Sequence, residues 1–419
     1  MTNWPTKKLG DKEYFEILGS GIEKFEGEKE YLSTSSIEGN KIVAIEDVIT
    51  YQKRPSRANM QPRLSSVWFA RMKNTIKVYS FTGVNKEKKD KKDKKDKYIL
   101  STGFAGILCN PEKVNPKYLE KIFLSEWFNN LKDGFASDKA IQKSLNNEDI
   151  VNLEIPLPPI SAQQKIVYVL DCVQVVVGAQ EKIIEKTKEL KKVMMAKLFR
   201  EGTRGEKLKK TETPKQSKLA TGQVGEIPES WEIVEFEKAL DSELSYEVGE
   251  LKQKDFQSTG QFPIIDQSEA LIAGYSDDGE KVYKGKLPII IFGDHTRVVK
   301  YVDFPFIIGG SGVKILIPNK EFNILFLFYA INNLNLPSRG YNRHFKLLRE
   351  KLIPKPELSE QQEIAEILQT IDQKIEIEQR KKALYEELFK TMLNKIMSRE
   401  IKVDNLNLKY AAKNRKKIS

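Results

Sequence analysis

Cysteine and histidine are nearly missing: the 419-residue chain has two of each. Cys109 and Cys172 lie far apart and form no CxxC, which excludes a disulfide or zinc framework and suits a reducing compartment. His295 and His344 are not spaced as HxxxH and have no cysteine beside them, so no metal centre is expected. Long apolar runs are missing too. The greasiest stretches, Leu287–Phe292 and Phe322–Ile331, are too short to span a bilayer. The opening MTNWPTKKLGDKEY lacks the apolar core of a signal peptide. A soluble, cytoplasmic chain without a membrane partner is the expectation. Acidic residues fall short of basic ones, 59 against 70, leaving a net charge of +11 that favours a polyanionic partner.

Catalytic motifs are also absent. GEKVYKGKL, Gly279–Leu287, approaches a phosphate loop. It has five residues before the Gly-Lys pair instead of four, however, and Leu287 stands where magnesium needs Ser or Thr. No GxGxxG follows a strand. Leu157-Pro158-Pro159-Ile160 lacks the polar first residue that an amino-methyltransferase turns toward its target base. Glu250 and Lys252 form an ExK triplet with no Pro-Asp pair ahead of it. No catalytic constellation is found.

A long repeat is present. Pro156–Phe199 recurs as Pro354–Met397, displaced by 198 positions. The shift pairs Pro156 with Pro354, Pro158 with Pro356, Ser161 with Ser359, Gln163 with Gln361, Gln164 with Gln362, Ile166 with Ile364, Leu170 with Leu368, Leu190 with Leu388 and Met194 with Met392. One register held that far marks a genuine repeat. Each copy reads as a single helix. Pro158 and Pro356 favour extended backbone before it, Ser161 and Ser359 are natural N-caps, and Gln164 and Gln362 occupy the capping-box position.

Inward positions then alternate by four and three. They run Ile166, Leu170, Val173, Val177, Gln180, Ile184, Thr187, Lys191, Met194, Leu198 in the first copy. In the second they run Ile364, Leu368, Ile371, Ile375, Glu378, Lys382, Tyr385, Phe389, Met392, Ile396. This is a coiled-coil seam, and about 38 residues at ~1.5 Å each make rods of roughly 57 Å. A helix with so narrow a stripe should pair, and the repeat supplies its partner within the chain.

The rods divide the chain. Residues 1–155 form a first head, in which Ile42–Ile45, Ser66–Ala70, Thr75–Phe81 and Tyr98–Leu100 read as strands. Lys86–Lys97, KEKKDKKDKKDK, reads as a solvated low-complexity loop, with a DNA-backbone contact as the alternative. The first rod covers 156–200 and a linker 201–226, within a stretch rich in Gly, Thr, Ser, Pro and Lys. A second head follows at 227–352, a second rod at 353–400, and a basic tail at 401–419. Trp231 stands in the place of Trp4, 227 positions on, so the second head is 29 residues shorter than the first. The lysine stretch accounts for part of that. The expected class is α/β (α+β).

Three stretches have the composition of a groove-reading surface. In the first head Lys53, Arg54, Arg57, Asn59, Gln61, Arg63, Arg71 and Lys73 surround Trp68 and Phe69, with Pro55 and Pro62 pointing to a loop. Arginine suits guanine edges and phosphate, and Asn or Gln suits adenine. The second head carries His295, Thr296 and Arg297 directly after the buried run Ile289–Phe292. It then has Arg339, Tyr341, Asn342, Arg343 and His344 within six residues. Gly309, Gly310 and Gly312 would let backbone amides approach a phosphate, although turn geometry explains them equally well.

Two divergent heads alternating with two copies of a long helix opened by IPLPPISAQQKI (Ile155–Ile166) and IPKPELSEQQEI (Ile353–Ile364) resemble the specificity subunit of a type I restriction–modification system. Further shared features are the Trp-containing head starts, STGFAGIL (Ser101–Leu108), FGDHTR and GYNRHFK. The resemblance covers essentially the whole chain. It implies two target-recognition domains held apart by an antiparallel pair of helices with pseudo-twofold repetition, each reading half of a bipartite double-stranded DNA site. It also implies no cofactor here. S-adenosylmethionine, ATP and Mg2+ would belong to two methyltransferase and two restriction subunits recruited as partners. Part of a restriction–methylation fusion enzyme, or a coiled-coil scaffold without DNA function, are the alternatives. The lysine-rich insertion departs from the pattern.

Overall fold

The computed structural model describes residues 4–82, 97–135, 144–211, 225–241, 250–337, 343–398 and 400–401. Its helices are α1 (Pro116–Leu124), α2 (Glu126–Phe135), α3 (Asn147–Asn152), α4 (Ile160–Glu201), α5 (Ile324–Asn333), α6 (Phe345–Arg349) and α7 (Leu358–Met397). Two compact units emerge, Met1–Gln180 with Lys381–Ser419, and Glu181–Arg380. Each unit therefore owns one head and half of each rod, because a rod half packs on its head as well as on its partner helix. Most of the lysine stretch, residues 86–96, and nearly all of the basic tail, 402–419, lie outside the described residues.

In the first unit the run Ser66–Ala70 forms a fully buried strand of an antiparallel sheet ordered Phe15–Leu18, Phe104–Cys109, Ser66–Ala70, Val78–Phe81. A second sheet runs Asp47–Ile49, Lys29–Leu32, Tyr98–Ser101, Ala58–Met60, with its middle pair parallel. The second unit repeats the plan. One sheet is Val299–Val302, Ile289–Gly293, Val313–Leu316. The other is Glu250–Leu251, Ile307–Gly309, Phe262–Ile265, Gly274–Ser276, with parallel pairing on both sides of Ile307–Gly309. Two expected strands are shorter than their propensity suggested. Only Ile42 of the run Ile42–Ile45 lies in a strand, Lys41–Ile42, and Ile42, Val43 and Ile45 stay exposed. The strand expected at Thr75 begins at Val78, because Met72–Thr75 is drawn into a loop.

The two tryptophan registers meet in the backbone. Thr6 pairs with Pro156 and Ile233 with Pro354, so the 227 and 198 displacements describe the same antiparallel ribbon twice. Trp4 and Trp231 are both buried at its start.

Both rods are continuous helices, of 42 and 40 residues, or ~60 Å each. None of the twenty predicted seam positions is exposed. Apolar residues off the seam, such as Ile183, Leu190 and Leu384, are exposed. In the first unit Ile166, Val167 and Leu170 of α4 share a core with Leu393, Ile396 and Met397 of α7. In the second, Leu198 and Phe199 share one with Ile364, Ala365 and Leu368. The start of each helix thus meets the end of the other, and the pairing is antiparallel. The polar seam residue Lys191 bridges to Asp372 across it (2.6 Å).

The helix starts correct the capping expectation. Each cap falls two residues earlier than foreseen, and the helices begin at Ile160 and Leu358. The carbonyls of Pro159 and Glu357 accept the first helical bonds, from Gln163 N–H (3.1 Å) and Gln361 N–H (3.0 Å). Ser161 and Ser359 therefore sit inside the first turn. Gln163 and Gln361 carry the structural role instead, and both are fully buried. Gln163 Oε1 accepts from Asn115 N–H (2.8 Å), and its amide donates to the carbonyls of Lys113 (3.0 Å) and Pro158 (2.8 Å). Gln361 repeats all three contacts with Asn323 N–H (2.8 Å), Glu321 (3.0 Å) and Pro356 (2.9 Å). Asn115 and Asn323 cap α1 and α5 through their own side chains. Each repeated glutamine thereby ties a rod to the first long helix of its head.

The stretch read as a linker is partly built. Leu208–Lys210 pairs with Glu226–Pro228. Thr203 N–H donates to the buried Glu360 carboxylate (2.8 Å), which also accepts from Trp231 Nε1 (2.9 Å). Residues 212–224 lie outside the described residues.

Candidate nucleic-acid interface

In the second head the strand Ile289–Gly293 is apolar and buried throughout up to Gly293, where a five-residue connection turns it into Val299–Val302. Asp294, the first residue of that connection, is buried and tied three ways. Its N–H donates to Gly312 O (2.8 Å), its carbonyl accepts from His344 N–H (2.8 Å), and its Oδ1 accepts from Phe345 N–H (2.8 Å). His344 Nδ1 also faces the Asp294 carbonyl at 3.0 Å, which assigns the proton to Nδ1. FGDHTR, the glycine turn and the RHF segment, read from sequence as separate stretches, therefore converge on one residue.

The glycines serve this convergence. A Cβ at Gly312 would lie 2.6 Å from the Gln267 side-chain amide, and one at Gly293 would lie 2.3 Å from Thr296 Oγ1. Gly310 has φ +83°, a backbone that favours glycine. Close packing and turn geometry account for the glycines, so the phosphate-approach reading is set aside.

The first head carries the same latch with another residue. Arg71 follows Ser66–Ala70 as Asp294 follows Ile289–Gly293. Its N–H donates to Gly103 O (2.9 Å), and its carbonyl accepts from Leu145 N–H (3.1 Å). Its side chain then donates from Nε to Phe104 O (3.1 Å) and from Nη1 to Leu145 O (3.4 Å). Arg71 thus corresponds to Asp294, Gly103 to Gly312 and Leu145 to His344. These pairs lie 223, 209 and 199 positions apart. Fourteen of the 29 residues missing from the second head therefore fall between the latch residue and the glycine turn, where the lysine stretch stands.

The remaining candidates divide by what their side chains already do. Arg71 is half-buried; burial pushes its guanidinium below the ordinary value, and two carbonyls engage it. His344 corrects the expectation of a displayed side chain, being buried at 1% exposure and engaged with Asp294. Arg297 adopts φ +65°, and its Nη1 donates to Leu336 O (2.7 Å). His295 N–H donates to Gln267 Oε1 (3.2 Å), and Thr296 Oγ1 donates to Gln267 O (2.5 Å). Arg343 is exposed. Arg339, Tyr341 and Asn342 lie outside the described residues.

In the first head the stretch expected as one loop is partly a strand, Ala58–Met60, paired with Leu100 and Ser101. Asn59 is half-buried, and Gln61 Oε1 accepts from Glu23 N–H (2.6 Å). Arg54 stacks on the Tyr51 ring at 4.5 Å and donates to the Tyr51 carbonyl. Lys53, Arg57 and Arg63 are exposed, and Arg63 lies 3.4 Å from an equally exposed Glu16. Such a pair holds the arginine weakly. Arg57 lines an open depression of about 590 Å³ with Ser33, Ser35, Glu46 and Asp47.

Sequence reasoning missed Gln267 and the buried cations Lys132 and Lys300. No local pattern marks a residue whose partners are distant carbonyls. Among the described residues no group of three or more His, Cys, Asp or Glu could hold a metal ion. No described helix is long and apolar enough to cross a membrane.

Two heads of one plan, each closed by the same latch and tied to one of two antiparallel rods, define a duplicated recognition module. The profile of the family described as type I restriction modification DNA specificity domain matches the chain twice, at residues 5–189 and 233–387, and the chain belongs to that family. Its part in a type I system is DNA sequence recognition, not catalysis. The specificity subunit of the type I restriction enzyme MjaVIII from Methanocaldococcus jannaschii is 29% identical over 307 residues, covering 66% of this chain and 69% of that protein. Two solved structures share the fold. A chain from a type I R-M system, solved for its complex assembly and conformational transition, aligns over 94% of this chain and 97% of its own at 20% identity and TM-score 0.57. The type I S subunit from M. genitalium aligns over 94% and 96% at 16% identity and TM-score 0.52.

Proposed function

We propose that each head reads one half of a bipartite, asymmetric DNA site through the end where the latch gathers its loops. The observation that carries this reading is the latch itself. The same three backbone segments converge in both heads, while the exposed side chains carried beside them differ, Arg57 in the first head against Thr296 and Arg343 in the second. A shared scaffold with unshared contacts is what two different half-sites require. Direct contacts are assigned to the exposed cations Lys53 and Arg57 in the first head. In the second they are assigned to Arg343, Thr296 and the neighbouring Arg339, Tyr341 and Asn342.

The chain recruits two methyltransferase and two restriction subunits, and S-adenosylmethionine, ATP and Mg2+ act on those partners. This chain binds none of them, since no cofactor motif is found in its sequence. Two measurements test the reading. Binding of the chain to DNA should prefer one sequence and weaken steeply with salt, and equal affinity for all duplexes would refute half-site reading. Calorimetry with S-adenosylmethionine should show no binding by the isolated chain, and stoichiometric micromolar binding would overturn the division of labour.

A further inference from the structure

Lys132 and Lys300 each lie buried at the latch end of their head, 2% and 4% exposed along the side chain. From α2, Lys132 Nζ donates to the carbonyls of Met72 (2.6 Å) and Thr75 (2.9 Å) and lies 3.5 Å from Asp133 Oδ1. Asp133 Oδ2 accepts from Asn74 N–H (3.0 Å), where the backbone has φ +56°. Carbonyl, amide and carbonyl of Met72–Thr75 are thus gripped in turn. This loop follows the latch residue Arg71 and joins the strands Ser66–Ala70 and Val78–Phe81.

In the second head Lys300 projects from Val299–Val302. Its Nζ donates to the carbonyls of Asp266 (2.8 Å) and Ala270 (2.5 Å) and lies 3.6 Å from Asp266 Oδ1. The gripped loop contains Gln267, which in turn holds His295 and Thr296.

An ammonium group has three donors. Two carbonyls take two donors of each, a carboxylate 3.5 or 3.6 Å away balances the charge, and burial keeps both ammonium groups from reaching a phosphate. Burial pushes both below the ordinary lysine value, with the neighbouring Asp opposing. A buried cation is costly unless fully paired, and here the pairing goes entirely into holding a loop. Loops ordered in advance lose less freedom when they bind.

We propose that Lys132 and Lys300 are positioning residues for sequence reading, each fixing the loop that presents the contacts to one half-site. The inference rests on the reading above that the heads meet DNA at their latch ends. Each lysine then governs discrimination in one half of the site only, and does so without contributing to the electrostatic attraction for DNA.

Methylation mapping of the assembled methyltransferase carrying Lys132→Met or Lys300→Met tests this. A wrong base pair normally weakens binding roughly 5- to 150-fold. That penalty should shrink in one half-site for Lys132→Met and in the opposite half for Lys300→Met, with the slope of affinity against salt unchanged. Relaxation of both halves by either variant overturns the proposal, as does a salt slope reduced by about one phosphate contact. If Lys132→Met does not assemble, Asp133→Asn leaves the ammonium in place and weakens the hold on Asn74. It should relax the same half to a smaller degree, and an unaltered site with that variant also overturns the proposal. A wild-type enzyme that methylates no bipartite sequence would sink the underlying reading. A wild type that does so, with variants indistinguishable from it, would sink this inference alone.

Discussion

At the scale of single residues, the most informative side chains form internal bonds and do not display charge. Gln163 shows why the motif requires an amide there. Its oxygen must accept from Asn115 N–H while its nitrogen donates to two carbonyls. Gln163→Ala leaves a buried donor and two acceptors unmet, at roughly 1–3 kcal/mol for a buried group left unsatisfied. Gln163→Glu keeps the acceptor but turns a carboxylate oxygen toward the carbonyls of Lys113 and Pro158, and should cost more. Amide exchange at Asn115 reports this locally. It should quicken tenfold or more in both variants, tenfold corresponding to about 1.4 kcal/mol, and unchanged exchange would remove the glutamine from its structural role.

Arg343 is the contrasting case, an exposed cation next to the buried His344. Arg343→Ala should cost ~1–3 kcal/mol in DNA affinity and relax preference at one base pair if it reads a base. Uniform weakening with a shallower salt slope would identify a phosphate contact. No change in binding would exclude both.

At the scale of elements, the rods carry the argument. Two of their polar seam positions are satisfied: Thr187 Oγ1 donates to Ile183 O (2.7 Å), and Lys191 pairs with Asp372. If the rods space the half-sites, four residues inserted in one add ~6 Å, slightly under two base pairs at ~3.4 Å each. Four residues also slightly exceed one turn, so a lengthened helix must repack its seam. Matching insertions after Gln180 and Glu378 should therefore be tolerated better than either alone. They should widen the spacer by one or two base pairs and leave the half-sites unchanged. Methylation mapping reads this directly, and an unchanged spacer with retained activity would show that something other than the rods sets the distance.

At the scale of the whole molecule, duplication is the organising fact, and its two halves diverged unequally. The rod starts kept their glutamine contacts atom for atom. The heads kept backbone topology but exchanged the latch side chain, arginine for aspartate. That pattern follows from what each part must satisfy. A rod start has to meet the same buried amide and carbonyls in both copies, whereas a latch needs two backbone bonds and any side chain able to brace the entry to the last helix.

The sequence by itself determined the repeat, the two rods, their seam and the alternation of heads. These features rest on spacing along one chain, where heptads and a repeated motif at the helix starts leave a periodic trace. It placed the strands Ser66–Ala70 and Ile289–Phe292 for the same reason, since a buried run is visible locally. Tertiary structure alone decided that two carbonyls take up Arg71, that His344 is buried, that FGDHTR meets the RHF segment at Asp294, and that Lys132 and Lys300 hold loops. Those roles depend on carbonyls brought from 30 to 74 residues away, and a main-chain acceptor has the same chemistry at every position, so no residue pattern could announce it.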